Sequence, residues 1–228
     1  MSARRTPVSR RERPAKPALS REGIVAAAVA ITRSEGLDRL TMRRLAKELD
    51  TGAASLYVYV ADIEELHAAV LDDFLSEVEI GSTEGDWRER LRALLDSYRA
   101  VLFEQPSLAR VALVTRMSGP RYLRAVDAAL GLLVEGGLSE YGAALAVDQL
   151  FLQATASAAE HGTRARMPDA DRQHEDLVAE IDAAPAEEYP HIARIGRLLV
   201  AGTPSGRTKW SFDVILNGAL ATPSPEPE

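Results

Sequence analysis

The chain has 228 residues, 46% of them apolar and none of them cysteine, with a net charge of −7. This suits two modest helical units with buried cores, and it excludes a disulfide framework, a thiol nucleophile and a thiolate metal site. The charge is divided: residues 1–60 carry 12 Lys and Arg against 6 Asp and Glu, and residues 61–228 carry 15 against 28. A basic head on an acidic body is the asymmetry expected when only one end meets phosphates.

Residues 1–18 hold Arg4, Arg5, Arg10, Arg11, Arg13 and Lys16 with three prolines. They are expected to form a disordered basic arm, because so few apolar residues cannot offset the entropy of ordering. Such an arm is either a solvated tail or a source of phosphate and minor-groove contacts. It lacks the apolar core of a secretory signal, and no run of about 18 apolar residues offers a membrane span. A cytoplasmic protein is expected.

Ser20 is placed to cap a first helix running to about Glu35, with Ile24, Ala27, Ala28 and Ile31 inward and Gly36 ending it. Thr41 then caps a second helix whose apolar face is Met42, Leu45, Ala46 and Leu49. Asp50-Thr51-Gly52 breaks it, and a third, shorter helix follows. Leu56 and Val60 point inward there, while Ala53, Ala54, Ser55, Tyr57 and Tyr59 point outward. Two helices joined by a tight glycine-containing turn form a helix-turn-helix, whose second helix enters the major groove.

Asp62 and Glu65 resemble a capping box opening a fourth helix, with Leu66, Val70, Phe74 and Val78 as a seam to about Gly81. This helix is the lever between head and body. Beyond Asp86 the pattern is that of a helical bundle. Trp87, Leu91, Leu94, Leu95, Tyr98 and Leu102 line one helix, and Pro106 opens the next, carrying Leu108, Val111, Ala112 and Met117. Gly119-Pro120 starts another with Leu123, Val126, Leu130 and Leu133. Ser139 caps a long Ala-rich helix to about His161. Residues 163–190 read as a polar connection with one short helix near Asp169–Asp182. A last helix spans about Lys209 to Leu220, with Trp210, Phe212, Val214, Ile215 and Leu216.

Leu19-Ser20-Arg21, Glu35-Gly36-Leu37, Leu40 to Ala46, Ser55-Leu56-Tyr57-x-Tyr59-Val60 and Asp62-x-Glu64-Glu65-Leu66 together resemble the tetracycline-repressor (TetR) family. The resemblance covers about the first third of the chain. It implies an all-α protein: a helix-turn-helix DNA-binding domain over 19–65, a linking fourth helix over 62–81, a helical ligand-binding and dimerisation domain over 82–221, and a disordered tail over 222–228. It also implies a homodimer formed by the helices near 139–161 and 209–220, reading a near-palindromic double-stranded operator. A small-molecule effector, apolar or weakly polar, would release it.

Carried over by position, the resemblance assigns phosphate contacts to Thr41 and Arg44 at the start of the second helix, with Arg43 either meeting phosphate or facing solvent. Tyr57 and Tyr59 bond phosphates, and Thr51, Gly52, Ala53, Ala54 and Ser55 read bases. The competing reading for either tyrosine is core packing. The chain departs from the family pattern at Asp50 and Gly52 in the turn, at Val58, at Tyr59, and at Ile63, where a Lys usually approaches phosphate. Effector-site candidates are Tyr98, Phe103, Met117, Tyr122, Phe151, Gln153, Thr155 and His161, with ordinary core packing as the competing reading for each. No cofactor is implied. His67, His161, His174 and His191 lack metal-ligand spacing. The pairs Glu64-Glu65, Asp72-Asp73 and Glu187-Glu188 read as solvated helix faces, not acid/base pairs, so no enzyme is expected. Rival readings are a helical ligand-binding or scaffold protein whose head no longer reads DNA, a helical-bundle enzyme, and an activator of the same family.

Overall fold

A computed structural model describes residues 18–81 and 83–224. The arm expected over 1–18 lies outside these residues except for its last position, and residues 225–228 of the expected tail lie outside them too. Among the described residues the chain is all-α, with eleven α-helices and no strand. None of these helices is long and apolar enough to cross a membrane.

The head is built from α1 (Arg21–Glu35), α2 (Met42–Glu48) and α3 (Ala53–Leu56). Ser20 caps α1 by accepting from the Gly23 N–H at 3.1 Å, and Gly36 ends it at φ 85°. Ile24, Ala28, Ile31, Leu37, Leu40, Leu45, Leu56 and Val60 close into one core, all nearly inaccessible. Each fully buried Leu or Ile of this set contributes about 1.5–3 kcal/mol.

Helix α4 (Ile63–Phe74) leads out of the head. Asp62 accepts from the Glu65 N–H, and the Glu65 carboxylate accepts from the Ala61 N–H, both at 2.7 Å. The second bond lands one residue earlier than a reciprocal capping box requires. Leu66, Val70, Phe74 and Val78 are all buried as expected. The α-helix nevertheless stops at Phe74 in a 3-10 turn, and Val78 is extended.

The body holds α5 (Trp87–Phe103), α6 (Pro106–Ala112), α7 (Pro120–Glu135), α8 (Glu140–Arg164), α9 (Ala170–Ala183), α10 (Pro190–Leu199) and α11 (Pro204–Ala221). Helix α8 is the axle and packs against α5, α6, α7 and α11. Its buried face is mostly small, including Ala143, Ala146, Ala154, Ala158 and Gly162, so neighbouring backbones come close. A Cβ on Gly162 would sit 2.7 Å from the Phe103 carbonyl oxygen.

Several expectations for the body are corrected. Helix α6 ends at Ala112, leaving Met117 beyond it. In α7 the inward stripe is Ala125, Ala129 and Leu133, while Leu123 is 55% exposed. Leu133 is buried as expected, and Val126 and Leu130 are half-buried against the core. The last helix starts at Pro204, five residues earlier than expected. The stretch before it contains α10, which sequence reading did not identify, and α9 and α10 pack on each other as a hairpin. On α11, Phe212 and Leu216 turn inward, whereas Trp210 and Val214 face outward.

Candidate nucleic-acid interface and bundle centre

The turn between α2 and α3 ends α2 in a Schellman arrangement. The Thr51 N–H donates to the Ala46 carbonyl at 2.9 Å and the Asp50 N–H to the Lys47 carbonyl at 3.2 Å. Asp50 takes the left-handed conformation at φ 47° that glycine commonly fills there. Gly52, at φ −82°, serves as the N-cap of α3 with no side-chain bond. Helix α3 has only four residues, and the Tyr59 and Val60 N–H groups both close back on the Leu56 carbonyl. Leu56 and Val60 anchor this element from below.

Its outer face presents Ala54, Ser55, Tyr57 and Val58, with Gly52 beside them, all exposed. Thr51 and Ala53 are half-buried. Tyr59 is also half-buried and packs against the head core, whereas Tyr57 stands 54% exposed. Val58 is 78% exposed. Sequence reasoning left it out of the outer face, although Leu56 and Val60 are both inward at helical spacing, which puts the residue midway between them on the opposite side.

At the start of α2, Thr41 accepts from the Arg44 N–H at 3.0 Å and so acts as N-cap. Arg44 is not free: its guanidinium donates to Glu35 at 2.6 and 3.3 Å and to Glu48 at 2.8 Å. The Arg44 hydrogen bond holds the Glu35 carboxyl below its ordinary range, and the two carboxylates push the guanidinium still higher. Arg39, Arg43 and Lys47 are exposed and have no ion pair among the described residues. Arg21 pairs with Glu65 at 2.9 Å. Arg33 pairs with Glu77 and lies over the Phe74 ring, 4.4 Å from its centroid. These contacts fix α1 against α4. Glu65 is thus a capping and pairing group, not a solvated one, and its carboxyl is lowered first by the Ala61 N–H and then by Arg21.

Of the eight residues expected around an effector, four meet at the centre of the bundle. The Tyr98 and Phe151 rings are 4.8 Å apart, and Tyr122 meets Phe151 edge-on at 5.9 Å. The Tyr98 hydroxyl bonds Thr155 Oγ1 at 3.0 Å, and Thr155 donates to the Phe151 carbonyl at 2.8 Å. Burial pushes the Tyr98 and Tyr122 phenols up. Met117 adjoins Tyr122 beside a very small hollow of about 10 Å³. The other three lie apart from that centre. Phe103 packs under Arg166, His161 lies 3.2 Å from the Ser157 hydroxyl with its pKa lowered by burial, and Gln153 is half-buried on α8.

A cleft of about 450 Å³ opens elsewhere, lined by Glu79, Ile80, Gly81, Arg90, Ala93, Leu94, Ala128 and Leu132. None of the expected residues lines it. Leu94, in its wall, lies one helical turn before Tyr98 on the same buried face of α5. Its hollow comes from Gly81, Ala93 and Ala128, and the sequence signal for it was an absence of bulk.

No group of three His, Cys, Asp or Glu suited to a metal ion occurs among the described residues. Asp72, read as solvated, is buried against the start of α7.

Residues 24–70 match the family described as bacterial regulatory proteins, tetR family, and residues 81–221 match tetracyclin repressor-like, C-terminal domain. The crystal structure of the Streptomyces protein SCO7704 is 52% identical, covering 93% of this chain and 100% of that one at a TM-score of 0.79. ActR of Streptomyces coelicolor, crystallised in complex with actinorhodin, is 33% identical over 90% of this chain and 97% of that one, at a TM-score of 0.81. The HTH-type transcriptional repressor DrrR1 of Streptomyces coeruleorubidus is 36% identical over 127 residues, which span 55% of this chain and 47% of DrrR1. The match therefore spans about half of that relative's length.

Proposed function

We propose that this chain, which belongs to the TetR family of bacterial regulatory proteins, is a cytoplasmic homodimeric repressor released from its operator by a small, largely apolar molecule. The observation that carries the reading is the outward face of the helix-turn-helix. Exposed, mostly small and apolar side chains stand there, anchored from below by Leu56 and Val60 and flanked by Arg39, Arg43 and Lys47, which have no ion pair among the described residues. Thr51, Gly52, Ala53, Ala54, Ser55 and Val58 supply base contacts, chiefly methyl packing and close backbone approach. Thr41, Arg43 and Tyr57 supply phosphate contacts that set register. Arg44 reaches phosphate only by exchanging Glu35 and Glu48 for it, and Tyr59 contributes mainly by supporting its neighbours.

Dimerisation is assigned to the outward stripes of α8 and α11. Tyr141, Leu145 and Leu152 on one and Trp210, Val214 and Leu220 on the other are all at least a third exposed. Apolar side chains aligned in this way favour a four-helix interface with a second copy. The effector enters through the cleft, toward the aromatic centre of Tyr98, Tyr122 and Phe151. The complex of ActR with actinorhodin supports a small-molecule effector for this chain too. The chain carries no catalytic role in this reading and needs no cofactor.

Selection of bound sites from a random duplex pool by the purified full-length protein tests it. Enrichment of one near-palindrome, weakened by Tyr57→Ala and by removal of residues 1–18, is the expected result. Binding that is salt-sensitive but blind to sequence would sink the reading.

A further inference from the structure

Helix α7 begins without a cap of its own. Gly119 at its N-cap has no side chain and Pro120 has no N–H, so the next amides need an acceptor from elsewhere. Asp72, on α4, supplies it. Its Oδ1 accepts from the Arg121 and Tyr122 N–H groups at 3.0 Å each, and its Oδ2 accepts from the Arg121 guanidinium at 3.3 Å. The residue is only 8% exposed. A Cβ on Gly119 would fall 2.1 Å from Asp72 Cγ, so glycine is what lets α4 approach. A carboxylate held by two amides and a guanidinium at a helix N-terminus is tightly oriented.

We propose that Asp72 is the positioning residue that couples the body to the DNA-reading head. It fixes the lever α4 to the first turn of α7 and so sets the angle of the head. Tyr122, whose N–H it accepts, is also the residue whose ring meets Phe151 edge-on. Displacing that ring shifts the donors that Asp72 holds, and α4 moves with them. The N-terminal end of α4 is tied to the head through Arg21–Glu65, and its C-terminal end, beside Asp72, through Arg33 over Phe74. The consequence for DNA rests on the regulator reading above; the joint itself does not.

The absence of cysteine makes the joint measurable in the full chain. Nitroxide labels at Ala30→Cys on α1 and Ala100→Cys on α5, both exposed positions, report the head–body distance by pulsed electron resonance. Dilution with unlabelled protein isolates pairs within one chain. Asp72→Ala is expected to broaden that distance distribution and to weaken binding to the selected duplex by roughly tenfold, the scale of a typical coupling. Glu64→Ala, at an exposed position of the same helix, is expected to do neither, whereas Asp73 also pairs with Arg121 at 3.5 Å and is not a neutral control.

The decisive variant is Asp72→Gly with Gly119→Ser, set beside Asp72→Gly alone: glycine also removes the Asp72 Cβ, which lies 2.6 Å from where a Cβ at 119 would sit, so the serine can cap α7 in the vacated space. Thermal stability is expected to recover, while the broad distance distribution and weak binding persist. If the double variant restores the narrow distribution, Asp72 is a helix cap only and the proposal falls. If the unsubstituted protein selects no duplex, the regulator reading fails, and the label distances still decide the joint.

Discussion

In the head, the charges that position the helices stand at the surface: Arg21 on Glu65, Arg33 on Glu77, Arg44 on Glu35 and Glu48. At the bundle centre the polar groups are few, neutral and closed on one another, Tyr98 on Thr155 and Thr155 on the Phe151 carbonyl. Exposed ion pairs contribute about 0–1 kcal/mol each, so the head can exchange a carboxylate for a phosphate at little cost. A buried hydroxyl left without a partner costs about 1–3 kcal/mol. A molecule entering the centre must therefore leave this pair intact or replace it. One region is built to swap partners and the other to resist swapping.

Phe151→Ala gives the sharpest test of that contrast. Truncating this buried ring is expected to cost about 3–5 kcal/mol, read by urea denaturation, and a loss below 1 kcal/mol would mean that the centre is not packed. Thr155→Val comes next. It orphans the Tyr98 hydroxyl at an expected cost of about 1–3 kcal/mol, whereas Thr155→Ser restores most of it. In the head, Arg44→Ala should leave the melting temperature nearly unchanged. It should lower the log–log salt slope of operator binding by about 0.9 if Arg44 exchanges onto phosphate. A large drop in melting temperature with no change in slope would make its ion pairs structural and erase the contrast.

The smallest expected effect is on pH. Burial lowers the pKa of His67 and of His161 below the ordinary value of 6.5, so the unfolded chain binds more protons. Stability should be full above about pH 6.5 and fall as the pH drops below it. His67→Gln, removing a ring whose buried Nε2 has no hydrogen-bond partner among the described residues, should flatten that fall as followed by thermal melts. An unchanged slope would place the sensitivity at His161.

Most of the head was legible in advance because its signals are local. The caps at Ser20, Thr41 and Asp62 and the inward pair Leu56 and Val60 depend on residues within one turn of each other. The effector candidates were only half brought together. Aromatic bulk marks a core without saying which bulky residues meet, so Tyr98, Tyr122, Phe151 and Thr155 converge while Phe103, Gln153 and His161 do not. Helix α10 was missed because its polar and proline-rich approach resembles a loop, although its apolar residues recur at helical spacing.

The sequence by itself determined the helical class, the position of the helix-turn-helix, part of its outer face (Ala54, Ser55 and Tyr57) and the division of charge between head and body. Periodicity and capping carry these features within three or four residues of chain. Tertiary structure alone decided what each polar group meets. Arg44 turned back to Glu35, nine residues away, and Asp72 reached amides 49 and 50 residues away. A carboxylate on a helix reads the same whether water or another helix's N-terminus satisfies it, and only the packing of α4 against α7 chose between them.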